Sequence, residues 1–202
     1  PAAKVPIWMR RRIEKMGMRS ISLVVDITNY VMLELGQPLH AFDKTKISGG
    51  LTIKRAGKSQ KFVTLDGQER TLDPDDLMVC DDKQPLALAG TMGGLFSEIT
   101  ATTTDIALEA VRFDPVCVAR NSRRHKLSSE ASRRLERSVD PSLAEFASAR
   151  FVQLLTSHSS AKHVATVKNG QPRFTPVITL DPTYIPRLLG FEIAWSEIAR
   201  NL

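Results

Sequence analysis

The sequence predicts an α+β fold, with mixed and antiparallel sheets and helices packed on them. Three observations predict it. Apolar residues recur at helical spacing in some segments, while elsewhere they alternate or form short runs. Turn signals such as Asp66-Gly67 separate short strands. Asp-Pro pairs, lone serines and aspartates stand where helices should begin.

The elements follow in order. Pro6 suits the first position of a helix to Met16, with Met9, Ile13 and Met16 on one face and Gly17 as its stop. Leu23 to Val25 is an apolar β-branched run. Asp26 should then cap a second helix carrying Ile27, Tyr30, Val31 and Leu35, which Gly36 ends. Residues 37–43 should be irregular because Pro38 cannot continue a helix. Strands are expected at 62–65 and 68–72 around Asp66-Gly67, then at 77–80, 85–89 and 105–111. Asp114-Pro115 opens a helix. Asp140-Pro141 opens another to about Leu155, with Leu143, Phe146, Ala147, Phe151, Leu154 and Leu155 on one face. Asn169-Gly170 marks a late hairpin before a strand at Val177 to Leu180, and two short helices should follow, at Tyr184 to Gly190 and Ser196 to Leu202. A boundary near Gln171-Pro172 gives one domain over 1–171 and a shorter stretch over 172–202, which reads as the interrupted start of a further domain.

Composition excludes whole classes. With 42% apolar and 25% charged residues the chain can bury a core, so a disordered polyelectrolyte is ruled out. No apolar stretch is long enough to span a membrane. Cys80 and Cys117 lie far apart in apolar contexts, and without a CxxC spacing they read as core thiols of a cytoplasmic protein, with no metal site.

The charge is unevenly placed. Residues 1–19 hold Lys4, Arg10, Arg11, Arg12, Lys15 and Arg19 against Glu14; residues 120–137 hold Arg120, Arg123, Arg124, Lys126, Arg133, Arg134 and Arg137 against Glu130 and Glu136. The whole chain carries only +6, so the remainder is mildly acidic. Two basic clusters read either as solvated helix faces or as a polyanion footprint, and their pairing favours nucleic acid. With 2 Trp, 2 Tyr and 8 Phe, none of them in the second cluster, a base-stacking surface is disfavoured.

Four constellations could carry chemistry. Thr28 and Asn29 sit on the first turn of the second helix, and His40 in the loop returning from its far end; a histidine there is either structural or faces a cleft. Leu86 to Gly94 runs an apolar strand into a Gly-rich turn, which reads as a tight turn or as backbone made accessible to a ligand. It lacks the Gly-Lys-Ser/Thr of a phosphate loop. In Thr104 to Val111, alternation places Ile106, Leu108 and Ala110 on one face and Asp105, Ala107, Glu109 and Val111 on the other. A carboxylate such as Glu109 in an apolar strand must face water, be paired, or bind a polar group on a ligand. Finally Ser129 reads as the N-cap of a helix directly after the Arg123-Arg124-His125-Lys126 cluster.

These segments carry a resemblance. Asp26-Ile27-Thr28-Asn29-Tyr30-Val31, then Leu35-Gly36-Gln37-Pro38-Leu39-His40-Ala41-Phe42-Asp43, Leu86 to Gly94, Glu109 with Arg112-Phe113-Asp114-Pro115, and Ser129-Glu130-Ala131-Ser132 with Glu136-Arg137 and Val139-Asp140-Pro141 occur in the order found in beta subunits of bacterial-type phenylalanyl-tRNA synthetases. Residues 6–155 resemble the central editing region of that family. The resemblance implies a three-layer editing domain over 1–171 and, over 172–202, the truncated start of a winged-helix-like domain. It further implies hydrolysis of mischarged tyrosyl-tRNA(Phe), in an enzyme of two alpha and two beta chains that attaches phenylalanine to tRNA(Phe).

On the same resemblance, Glu109 reads the tyrosine hydroxyl with help from backbone near Ala89 and Gly90. Thr28, Asn29, His40, Ser129 and Ala131 line the pocket and position ester and water. Family members usually carry Thr at position 129, so Ser129 keeps the hydroxyl and loses a methyl. Arg10, Arg11, Arg12, Arg120, Arg123, Arg124 and Lys126 would contact tRNA. ATP and magnesium would act in the complete enzyme, on the alpha chain, and no cofactor is expected in this chain. The alternative is an editing-silent scaffold that only contacts tRNA and supports assembly. The editing reading rests on one expectation: Glu109 lies at the bottom of a cavity, neither turned to bulk solvent nor in a cavity plugged by its neighbours.

Overall fold

A computed structural model describes residues 4–170 and 177–202, which fall into two compact units divided between Asn169 and Gly170. In the first unit the elements run α1 (Ile7–Lys15), α2 (Leu23–Leu35), β1 (His40–Asp43), β2 (Thr52–Arg55), β3 (Lys61–Val63), β4 (Glu69–Thr71), β5 (Leu77–Cys80), β6 (Pro85–Leu88), β7 (Met92–Gly93), β8 (Ile106–Glu109), α3 (Pro115–Arg124), α4 (Glu130–Leu135) and α5 (Leu143–His158). The fold is α+β, and among the described residues the strands pair antiparallel: β1 with β8, β3 with β4, and a four-stranded sheet in the order β2-β5-β6-β7.

Helix packing builds the first core. Met9 and Ile13 from α1, Ile27, Tyr30 and Val31 from α2, and Ala147, Phe151 and Leu154 from α5 are buried together. Each fully buried aliphatic side chain here contributes roughly 1.5–3 kcal/mol. A polar chain runs across the same three helices: Arg12 donates to the Tyr30 hydroxyl (2.8 Å), which donates to Glu34 (3.0 Å), and Arg150 closes on Glu34 (2.8 Å). A second core gathers Phe42, Val79, Leu86, Ala87, Ala89, Phe113, Val118, Leu135 and Val139, so it joins the β1–β8 ribbon to the sheet and to α3 and α4. The third core, with Phe62, Leu72, Met78, Cys80 and Leu88, lies beneath the β3–β4 hairpin.

The ribbon explains the alternation around Glu109. Residues directly opposite in an antiparallel pair point to the same side, so His40, Phe42, Ala107 and Glu109 share one face, and Ala41 and Leu108 share the other. Phe42 and Ala107 pack with the second core, Leu108 with the first. The ribbon is therefore covered on both sides.

Several expectations change. Residues 40–43 are a strand, because β8 supplies backbone partners that outweigh the disruption at Pro38. His40 thus begins a strand and is not in a loop. The second helix starts at Leu23, with Ser22 as its N-cap; its hydroxyl accepts from the Val25 N–H at 3.5 Å. Asp26 lies inside that helix and caps the chain leading into it, accepting from the Ile21 N–H (2.7 Å) and from the Ser20 hydroxyl. Helix α5 begins at Leu143, past the Asp140-Pro141 pair, and its Phe146 is exposed. Asp66-Gly67 does form the turn between β3 and β4, with Gly67 at φ +75°.

The second unit holds α6 (Tyr184–Leu189) and α7 (Trp195–Asn201). Val177 to Leu180 is irregular and forms no strand. The hairpin expected after Asn169-Gly170 runs into residues outside those described.

Candidate functional site

His40 and Glu109 are direct partners in the β1–β8 register. Both are half-buried. Desolvation pushes the Glu109 carboxyl up to about 7 and the His40 imidazole down to about 4. Near neutral pH, His40 is therefore uncharged and Glu109 is divided between its two forms. Glu109 Oε2 is buried and accepts no hydrogen bond from the described residues. A buried carboxylate oxygen left unpaired costs free energy, so Oε2 is open to a donor or to a proton of its own. Among the described residues no protein donor pairs with Oε2, so of the three readings open to Glu109 a bound water and a ligand's polar group remain.

The His40 ring is fixed by its neighbours. It meets Phe42 edge to face with centroids 4.4 Å apart. It also lies so close to Gly93 that a Cβ there would stand 2.5 Å from His40 Cε1, so any larger residue at 93 would have to displace the imidazole. Strand β7 thereby sets the imidazole. Sequence reading missed Gly93 as a support for His40, and its only signal was its place in the Gly-rich run.

Ala89, Gly90 and Thr91 form that turn. Gly90 has φ +65°, and Phe113, Val118 and Leu135 close over it, so a side chain there would be strained and would collide. Ser129 is the N-cap of α4, accepting from the Ser132 N–H (3.0 Å), while the Ser132 hydroxyl accepts from the Ser129 N–H (2.9 Å). The Ser129 hydroxyl donates to the Thr91 carbonyl at 2.8 Å. One hydroxyl therefore ties α4, with half-buried Ala131, to the turn bearing Ala89 and Gly90.

Thr28 and Asn29 are less directly placed. Thr28 is buried on α2 and its hydroxyl donates back to the Val25 carbonyl at 2.7 Å; Asn29 is half-buried one residue on. Among the described residues, no hydrogen bond joins either to His40 or Glu109. Gln37, which sequence reading did not single out, is fully buried: its Nε2 donates to the carbonyls of Pro38 (2.9 Å) and Val111 (3.2 Å), and its Oε1 has no partner among the described residues.

The basic clusters are heterogeneous. Arg120, Arg123 and Lys126 are exposed. Arg124 is exposed too, but it is paired, with Asp73 at 3.6 Å and with fully buried Asp76, which His125 also bonds at 2.6 Å. Arg10 pairs with Glu14 (2.8 Å), and Arg12 lies 5.4 Å over the Trp8 ring while bonding Tyr30; Arg11 is exposed. Cys80 is buried and Cys117 half-buried, and neither is in a disulfide. Among the described residues no group of three or more metal-ligating side chains gathers, and no helix is long and apolar enough to cross a membrane. Two open grooves mark the surface, one of about 370 Å³ walled by Arg133, Arg134 and Arg137, the other of about 180 Å³ beside β2. Neither is lined by His40 or Glu109, so the cavity expected at Glu109 is not one of these two; Glu109 is half-buried and packed on the ribbon face it shares with His40.

Residues 1–160 match the B3/4 domain family. Over its whole length the chain is 49% identical to the phenylalanine–tRNA ligase beta subunit of Streptomyces avermitilis and 54% identical to that of Corynebacterium glutamicum, covering 25% and 24% of those proteins. Identity to the same subunit of Gloeobacter violaceus is 45%, over 98% of this chain and 25% of that protein. The chain thus spans about a quarter of the length of the curated relatives it matches.

Proposed function

The chain belongs to the B3/4 domain family, and from that premise we propose that it is the editing region of a phenylalanine–tRNA ligase beta subunit, which hydrolyses tyrosyl-tRNA(Phe) to tyrosine and free tRNA. The observation that carries this reading is the buried, unpartnered Oε2 of Glu109, on the ribbon face it shares with His40.

The need for such a site is physical. An apolar pocket made for phenylalanine rejects an analogue with one extra hydroxyl by only ~10²-fold. A second site that demands the hydroxyl reverses the selection. Ionised Glu109 accepts a hydrogen bond from the phenol. A charge-assisted bond of about 1.5–3 kcal/mol gives a preference of roughly 10- to 150-fold for tyrosine over phenylalanine. Backbone at Ala89 and Gly90, with Ala131, shapes the pocket wall. His40, neutral and a weak base, orients the ester or the attacking water and does not strip a proton from it. In hydrolysis the water oxygen bonds the carbonyl carbon, the ester C–O bond breaks, and a proton passes to the departing ribose oxygen. Thr28, Asn29 and Ser129 complete the positioning set. The exposed arginines hold the tRNA backbone.

Around this chain the reading places tRNA(Phe), an alpha subunit in a two-alpha, two-beta assembly and a cytoplasmic location. ATP and magnesium serve amino-acid activation on the alpha chain, and no step here runs through them.

The test is deacylation of tyrosyl-tRNA(Phe) by the complete ligase and its Glu109→Ala and His40→Ala variants. The expected result is loss of tyrosine release in both, with phenylalanine charging intact. Unchanged release in both variants leaves only the silent-scaffold reading.

A further inference from the structure

We propose that the groove beside β2 is a phosphodiester-binding site, a second RNA contact apart from the basic clusters at 1–19 and 120–137. Four cationic side chains line a concavity of about 180 Å³: Lys54 and Arg55 on β2, Lys58 in the loop that follows, and Lys83 between β5 and β6. Met78 and Cys80 belong to the buried core beneath them. No acidic residue lines the groove. Among the described residues none of the four cations makes an ion pair; Arg55 donates only to the Asp75 carbonyl and to the Cys117 sulfur, at 3.7 Å in the second case. Asp81, the nearest buried acid in sequence, is already satisfied by the backbone N–H groups of Ser48 (2.9 Å), Lys83 (2.8 Å) and Gln84 (2.7 Å).

All four side chains are exposed, so water and salt screen their mutual repulsion, and an anion seated among them draws on their summed positive potential. β2 is an edge strand, bonded only to β5, so the groove opens where an extended partner can approach. The lining holds no aromatic ring, which removes base stacking and leaves the sugar-phosphate backbone as the element recognised. The inference rests on reading this chain as one that handles tRNA, since that reading makes the anion a nucleic acid.

The experiment uses the complete ligase and unacylated tRNA(Phe), with affinity measured across a KCl series. A Lys54→Ala/Lys83→Ala double variant should flatten the slope of log K against log salt by about 1.5 and weaken binding about 3- to 10-fold at low salt. Lys168→Ala, which removes an exposed lysine paired with Glu145, should leave both unchanged. A slope in the double variant equal to that of the unaltered enzyme overturns the proposal, as does an equal loss in Lys168→Ala. Retained tRNA slope with lost binding of polyglutamate also overturns it and assigns the groove to an acidic protein. If the unaltered enzyme shows no salt-dependent tRNA binding, the functional reading itself falls. Binding that persists while the groove variant behaves as wild type sinks only this inference.

Discussion

Replacing Glu109 by glutamine keeps the shape of the side chain and removes its titration. In the folded chain the Glu109 carboxyl is raised from 4.5 to about 7, so the native state holds this proton more tightly than the unfolded chain does. Its stabilising effect is complete below the unfolded value, is lost as pH rises through the window from 4.5 to about 7, and is flat above it. At ~1.36 kcal/mol per pH unit the loss is about 3 kcal/mol, an upper figure because Glu109 is only half-buried. His40 runs the other way. Its imidazole is lowered from 6.5 to about 4, so its contribution is present above the unfolded value and is lost as pH falls toward 4. Over the shared window the two slopes oppose each other, and these two groups leave the wild type nearly level. Glu109→Gln uncovers the histidine slope. Urea unfolding followed by circular dichroism, across pH about 4 to 8.5, should show the variant gaining up to about 3 kcal/mol on the wild type between the acid and alkaline ends. Other carboxylates titrate in both proteins and drop out of the difference. A difference that stays flat with pH would mean the Glu109 carboxyl is hydrated and free to ionise, and the argument for a prepared polar site would fail with it.

Two further outcomes follow from the geometry. Ser129→Ala removes both the α4 N-cap and the bond to Thr91, and should cost about 1–2 kcal/mol in thermal or chemical unfolding; Ser129→Thr should restore most of it, and a neutral alanine variant would show that the link is idle. Asp76→Asn leaves Arg124 and His125 facing a buried amide, and should destabilise by about 3 kcal/mol in a denaturant titration; a loss below about 0.5 kcal/mol would mean the cluster is solvated in practice.

Local chemistry made much of this fold readable. Asp66-Gly67 specifies its hairpin through the left-handed glycine, and Asp114 and Ser129 begin helices through side chains that accept from nearby N–H groups. The ribbon was not readable. A four-residue strand directly after Pro38-Leu39 has no pattern of its own, and its partner lies far along the chain. Asp26 misled for a related reason: it does accept backbone N–H, but from Ile21 before the helix, while the weaker-looking Ser22 is the cap. Among the site residues, Glu109 stood out as a charge in an apolar strand, whereas its adjacency to His40 depends on a long-range register that no local rule supplies. Gly93 and Gln37 were hidden for the same reason, since each matters only through what folds against it. Arg124 looked like its neighbours in the basic run until the fold brought buried Asp76 beneath it.

The ribbon also sets an order of events when the chain matures. The β3–β4 and β5–β6 hairpins and the α1–α2 pair close over short stretches, and such loops form early and at small entropic expense. β1 must wait for β8, which emerges from the ribosome only after the whole intervening sheet has been made. A nascent or truncated chain lacking β8 can therefore hold most of its hairpins and still lack the His40–Glu109 pair, because His40 has nothing across from it until β8 arrives.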